Sequence, residues 1–129
     1  MPGCKPNPTP APVPTLSCAA GDTVLVRETL YFGRNRPDGG TVSDAEWQRF
    51  LSEVVTPRFP QGLTVLEATG QWQGSAGGVE QERSEIVTVL HPSDERAQQS
   101  VREIAQEYKR RFQQEAVLRE RSASCARFE

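Results

Sequence analysis

Histidine, methionine and paired cysteine are all scarce in this sequence. Among its 129 residues there is one histidine, His91, one methionine, and three cysteines, Cys4, Cys18 and Cys125, none of them in a CxxC pair. A tetrahedral zinc centre takes about four nitrogen, sulfur or oxygen ligands at close spacing, so no metal is expected. His91 precedes Pro92 and has no serine, cysteine or aspartate at a recognisable spacing, which makes it a poor catalytic group. Long apolar runs are missing too: none reaches the ~18 residues that mark a membrane span. A positively charged start followed by an apolar stretch is also absent, so the sequence as it stands begins without a signal peptide. Excess charge of one sign is lacking, with 15 Lys+Arg against 17 Asp+Glu and a net charge of −2. That balance argues against nucleic acid as a partner, since such proteins normally carry a basic patch. The glycines between 74 and 78 follow a strand pattern but open no helix, so they form no phosphate loop, and no cofactor is expected.

Proline is plentiful, and it is concentrated at one end. Six of the ten prolines fall at positions 2, 6, 8, 10, 12 and 14. Proline fixes φ and lacks an N–H, so residues 1–22 read as an extended, semi-rigid spacer, with a formless end as the plainer alternative. Residues 23–129 read as one α+β domain with a single core.

Periodicity gives the elements of that domain. Val24, Val26, Leu30 and Phe32 alternate with Leu25, Arg27, Thr29 and Tyr31, which predicts a first strand over about 23–34. Glu28 falls on the apolar face, where it marks either a bulge or a buried carboxylate with a partner. Ser43 and Glu46 form a capping box that opens a helix with Trp47, Phe50, Leu51, Val54 and Val55 on one stripe, stopped by Pro57 and Pro60. A second strand over 63–73 places Leu66, Ala68 and Trp72 on one face, and a turn at 74–78 joins it to a third strand over 80–90. The run Ile86–Leu90 is apolar on both faces, as in a central strand covered on both sides. A second helix starts at Ser93 with Ala97, Val101, Ile104, Ala105, Tyr108 and Phe112 as its stripe, and a more polar edge strand follows over 116–128. The order βαββαβ, with right-handed crossovers, predicts a ferredoxin-like fold: a four-stranded antiparallel sheet in the order 4-1-3-2 with both helices on one face.

Several stretches carry a family resemblance. Leu30-Tyr31-Phe32-Gly33, Val42-Ser43 with Trp47, Thr56-Pro57-Arg58-Phe59-Pro60-Gln61-Gly62-Leu63-Thr64, Gly70-Gln71-Trp72, and Tyr108-Lys109 with Phe112-Gln113-Gln114-Glu115 resemble bacterial domain-of-unknown-function family 3574. The resemblance covers about residues 22–128, and the Thr-Pro-Arg-Phe-Pro and Gly-Gln-Trp stretches are its most specific parts. It implies a small, exported protein of the periplasm or envelope and brings no activity with it. Because an exported member carries a leader, the sequence reads as a trimmed or partial one.

Three features carry the functional expectations. Antiparallel pairing of the first and last strands brings Cys18 and Cys125 to one end, which predicts a disulfide, against the alternative of two unrelated thiols. Met1-Pro2-Gly3-Cys4 is similar to the end of a lipoprotein signal, so a longer precursor would be lipidated at Cys4, its only link to a membrane. The helix-free face of the sheet is expected to show Arg27, Thr29, Tyr31, Glu67, Thr69, Gln71, Glu85, Val87, Val89, Arg119 and Arg121. Such a face reads as a homodimer interface or a solvated face with ladder salt bridges, or as a small-ligand site built from Arg27, Tyr31, Glu67, Gln71 and Glu85. Arg58, held between two prolines, joins them as a turn arginine for a carboxylate or phosphate, or else ties the turn to Glu53 or Glu115. The leading expectation is a non-enzymatic exported domain that binds a small molecule or an envelope protein through that face. The alternative is a cofactor-independent enzyme of the ferredoxin-like dimer type, monooxygenase-like or isomerase-like, with a pocket on the same face.

Overall fold

The structure is a computed structural model and describes residues 16–129. Cys4 and residues 1–15 of the proline-rich segment lie outside the described residues. Strand β1 spans Thr23–Gly33, helix α1 Asp44–Phe50, strand β2 Thr64–Gln73, strand β3 Val79–His91, helix α2 Glu95–Phe112 and strand β4 Leu118–Ala126. The four strands form one antiparallel sheet in the order β2-β3-β1-β4, the expected 4-1-3-2 read from the other edge.

Local chemistry explains where the helices begin and end. The Ser43 hydroxyl accepts the Glu46 N–H at 3.1 Å and the Glu46 carboxylate accepts the Ser43 N–H at 3.0 Å, the reciprocal pairing of a capping box. Pro57 has no N–H to offer a regular turn, and α1 gives way to a π segment, Leu51–Val55, and then a 3-10 turn, Thr56–Arg58. Helix α2 starts one residue later than expected. Its cap is Asp94, whose carboxylate accepts the Ala97 N–H at 2.7 Å. It ends at Gln113, which adopts the left-handed conformation at φ 53°.

The core lies between the helices and one face of the sheet. Leu30 and Phe32 of β1 and Val87 and Val89 of β3 pack under Trp47, Phe50, Val54, Val101, Ile104, Tyr108 and Phe112, all buried. The Phe32 ring sits 4.8 Å from Tyr108 and 5.3 Å from Trp47, centroid to centroid. The buried Tyr108 hydroxyl donates to the Gly33 carbonyl at 2.5 Å.

Two core expectations need correction. Leu66 and Trp72 are 58% and 43% exposed, and Leu90 is 46% exposed. Strand β3 is therefore covered on one side only, and the face of β2 that holds Leu66 and Trp72 is the helix-free one. Cys18 and Cys125 are joined, with Cα atoms 5.6 Å apart at a sequence separation of 107. No helix among the described residues is long and apolar enough to cross a membrane.

Candidate functional site

Residues directly opposite each other in a ladder share a face, so pairing assigns every strand residue to one side. On the helix side, Leu30 pairs with Val87 and with Arg119, and Glu28 pairs with Val89 and with Arg121. On the helix-free side, Tyr31 pairs with Ile86 and Leu118, and Ile86 pairs with Leu66. One row further along, Thr29 pairs with Thr88 and Glu120, and Thr88 with Thr64. The helix-free face thus carries an apolar row, Leu118-Tyr31-Ile86-Leu66, beside a polar row, Glu120-Thr29-Thr88-Thr64.

These two rows meet in one side-chain pair. The Tyr31 phenol donates to the Glu120 carboxylate across adjacent strands, one row apart. That hydrogen bond, with a smaller contribution from burial, holds the Tyr31 pKa above its ordinary value, so the phenol stays a donor. The Thr29 and Thr88 hydroxyls lie 3.3 Å apart beside it. Arg27, on the same face, is exposed and makes no ion pair among the described residues. A carboxylate fixed by a phenol, within reach of hydroxyls and flanked by apolar side chains, can orient a small substrate and accept a proton from it.

The six residues expected to form a ligand site fall in three places. Arg27 and Tyr31 share the helix-free face. Glu67, Gln71 and Glu85 lie on the opposite side of the sheet, as their pairing in register with Val65 and Val87 requires. Glu85 is 2% exposed and accepts from Arg34 Nη1 at 3.1 Å, and Arg34 also donates to the Val42 carbonyl and to Asp44. Burial pushes the Glu85 carboxyl up, against the pull of Arg34, with the nearby charge of Glu67 adding to the rise. Glu67 accepts from Arg83 at 3.1 Å. Arg58 donates to the Val54 carbonyl at 2.9 Å, and its carboxylate neighbour is Glu103 at 3.9 Å rather than Glu53 or Glu115. With Glu103, Gln106, Glu107 and Arg110 it lines an open hollow of about 470 Å³ between the helices. Val87, Val89, Arg119 and Arg121 also lie on the helix side, not on the open face.

Sequence reasoning missed Glu120, because it treated the last strand as a polar edge and assigned its arginines to the wrong face. It also left Glu28 open. The pairing of β1 runs without interruption through Glu28, so there is no bulge. Instead, the carboxylate is fully buried and accepts from Arg119 Nε and Nη2, both at 2.7 Å. His91 Nε2 lies 3.3 Å and Arg121 Nε 3.4 Å from the same carboxylate oxygen. His91 Nδ1 donates to the Pro92 carbonyl at 2.6 Å. Among the described residues, no group of three or more His, Cys, Asp or Glu is placed to hold a metal ion.

The profile of the family described as "Protein of unknown function (DUF3574)" matches residues 27–128. No curated protein matches the chain. Among solved structures, a phage SAM lyase in complex with S-methyl-5'-thioadenosine is similar, with 16% identity, a TM-score of 0.57, and coverage of 86% of this chain and 95% of that one. The phage SAM lyase in its apo state is similar with 15% identity, a TM-score of 0.58, and coverage of 89% and 98%. At such identity the likeness is one of fold. It nevertheless corrects the leading expectation of a non-enzymatic binding domain, because both of these structures of the same fold are of an enzyme.

Proposed function

We propose that this chain, which belongs to the DUF3574 family, is a cofactor-independent enzyme of the lyase type that acts on a small organic substrate at the helix-free face of its sheet. The observation that carries the reading is the Tyr31–Glu120 pair, a carboxylate of the polar row held by the phenol of the neighbouring apolar row. In this reading Glu120 takes a proton from the carbon next to the bond that breaks, and the leaving group departs with the bonding pair. Such a step needs positioning and a base, and no oxidant or metal. The substrate class comes from the phage enzyme of the same fold. A sulfonium such as S-adenosylmethionine carries a positive charge suited to the Glu120 carboxylate and the Tyr31 ring, and Arg27 is free to take its carboxylate.

The test is direct. Purified protein is incubated with S-adenosylmethionine, and S-methyl-5'-thioadenosine is followed by chromatography, with both compounds also screened by thermal shift. Tyr31→Phe and Glu120→Gln should keep the fold and lower turnover by about 10²–10⁴-fold, the usual loss of a positioned acid–base group. Folded wild-type protein that neither binds nor converts either compound would sink this substrate class. The same reading places the protein outside the cytoplasm, in the periplasm or envelope. Its support is the Cys18–Cys125 bridge, a bond that persists in oxidising compartments.

A further inference from the structure

We infer that the helix-free face of the sheet is a contact surface for a second copy of this chain, and that this copy roofs the Tyr31–Glu120 site. The inference rests on the substrate site proposed above and adds what completes it. Leu66, Leu90 and Leu118 are 58%, 46% and 62% exposed, all on this one face. Scattered singly, such residues mean little, but here the register joins Leu118, Tyr31, Ile86 and Leu66 into a row that crosses all four strands.

The size of the face suits a partner of the same kind. Four strands at ~4.8 Å spacing and about six residues at ~3.3 Å give a surface of roughly 19 by 20 Å. Side-chain relief raises its accessible area to the order of the ~800 Å² that one partner gives to a standard interface. Its charges are also self-complementary. Beside the apolar row stand one cation, Arg27, and one anion, Glu120, while Glu80 and Glu82 lie at the far, hairpin end. A two-fold contact sets a patch against itself, so the part of the face that holds Arg27 and Glu120 can oppose unlike charges without a different partner.

The chemistry needs such a cover. On one copy the Tyr31–Glu120 pair faces water, which competes for the carboxylate and weakens every electrostatic contact to a substrate. A second sheet laid across the apolar row excludes that water and turns an open surface into an enclosed site.

The experiment is a light-scattering mass, measured without substrate in a Cys4→Ser background so that no intermolecular disulfide supplies the mass. The expected wild-type result is twice the chain mass of 14.3 kDa. Leu66→Lys with Leu118→Lys places charges on exposed positions of the apolar row and should give the single-chain mass with an unchanged circular dichroism spectrum. Arg27→Glu leaves like charges on the face and should lower the dimer fraction, and Arg27→Glu with Glu120→Arg should recover it. Tyr31→Phe should lower turnover as stated above and keep the dimer mass, which separates failure of the catalytic reading from failure of this one. A wild-type mass of one chain at submillimolar concentration, or a dimer that the two lysines leave intact, overturns the inference.

Discussion

At the residue scale, Glu28 is where sequence and structure meet most sharply. A carboxylate on an apolar face is costly to bury unless it is paired. Burial alone would push its pKa up, but hydrogen bonds from Arg119 and His91, and the charges of Arg119 and Arg121, outweigh that and hold it below the ordinary value of 4.5. A carboxyl whose pKa is lowered on folding stabilises the fold above its unfolded pKa. That stability is lost as pH falls through the folded value. Glu85 works with the opposite sign: its raised pKa subtracts stability as pH climbs from the unfolded value toward the folded one. Glu28→Gln should therefore cost about 3–5 kcal/mol near neutral pH, because it leaves the guanidinium of Arg119 without its counter-charge. The same variant should flatten the acid limb of the stability curve. Urea denaturation from neutral to acid pH measures both, and a variant that keeps the wild-type acid limb would mean that another carboxylate sets it. The sequence marked this position as anomalous but gave no partner, since Arg119 lies 91 residues away and only the β1–β4 register brings it there.

At the element scale, caps were easier to read than faces. The Ser43–Glu46 box spans four residues and needs no tertiary partner, so local sequence specifies it fully. Ser43→Ala removes the acceptor for the Glu46 N–H and should cost about 1 kcal/mol by urea denaturation, with the m-value unchanged. A loss well under ~0.5 kcal/mol would mean that packing of Trp47 and Phe50 holds the helix start alone. Faces were harder. In β2 both Val65 and Leu66 are apolar, and in β3 the run Ile86–Leu90 offers apolar side chains to both sides, so alternation favours neither register. The choice falls to the helices, which cover Val87 and Val89 and leave Leu66, Leu90 and Trp72 to the open side. Taking Leu66 and Trp72 as core inverted β2 and β3 and carried Glu67, Gln71 and Glu85 to the wrong surface. It also hid the Tyr31–Glu120 pair, which appears only when β4 is set in register against β1. The order of elements was legible because handedness and connection length admit few alternatives; the site was not, because it depends on a one-residue choice of register.

At the scale of the whole molecule, one covalent bridge joins the flanks of the first and last described strands. Strand β4 is an edge strand paired with β1 alone, and it is the last element. Edge strands at a terminus are where opening costs least. The Cys18–Cys125 bridge ties the segment just upstream of β1 to the end of β4 and closes a loop with a sequence separation of 107. In the chain-entropy treatment, a loop of that size is worth about 4–5 kcal/mol, by restricting the unfolded chain. Domains of this size have only about 5–15 kcal/mol in all, so the bridge is a large share of what keeps the fold together. It also supports the proposed site, because Glu120 sits on the strand the bridge secures. Cys18→Ser with Cys125→Ser should therefore lower the thermal midpoint by more than about 10 °C. Amide exchange should rise in β4 well before it rises in β2 or β3. Reduction of the wild-type protein should give the same midpoint as the double variant. A midpoint that moves by only a degree or two would show that the β1–β4 ladder holds the last strand by itself, and that the bridge restrains little of the unfolded chain.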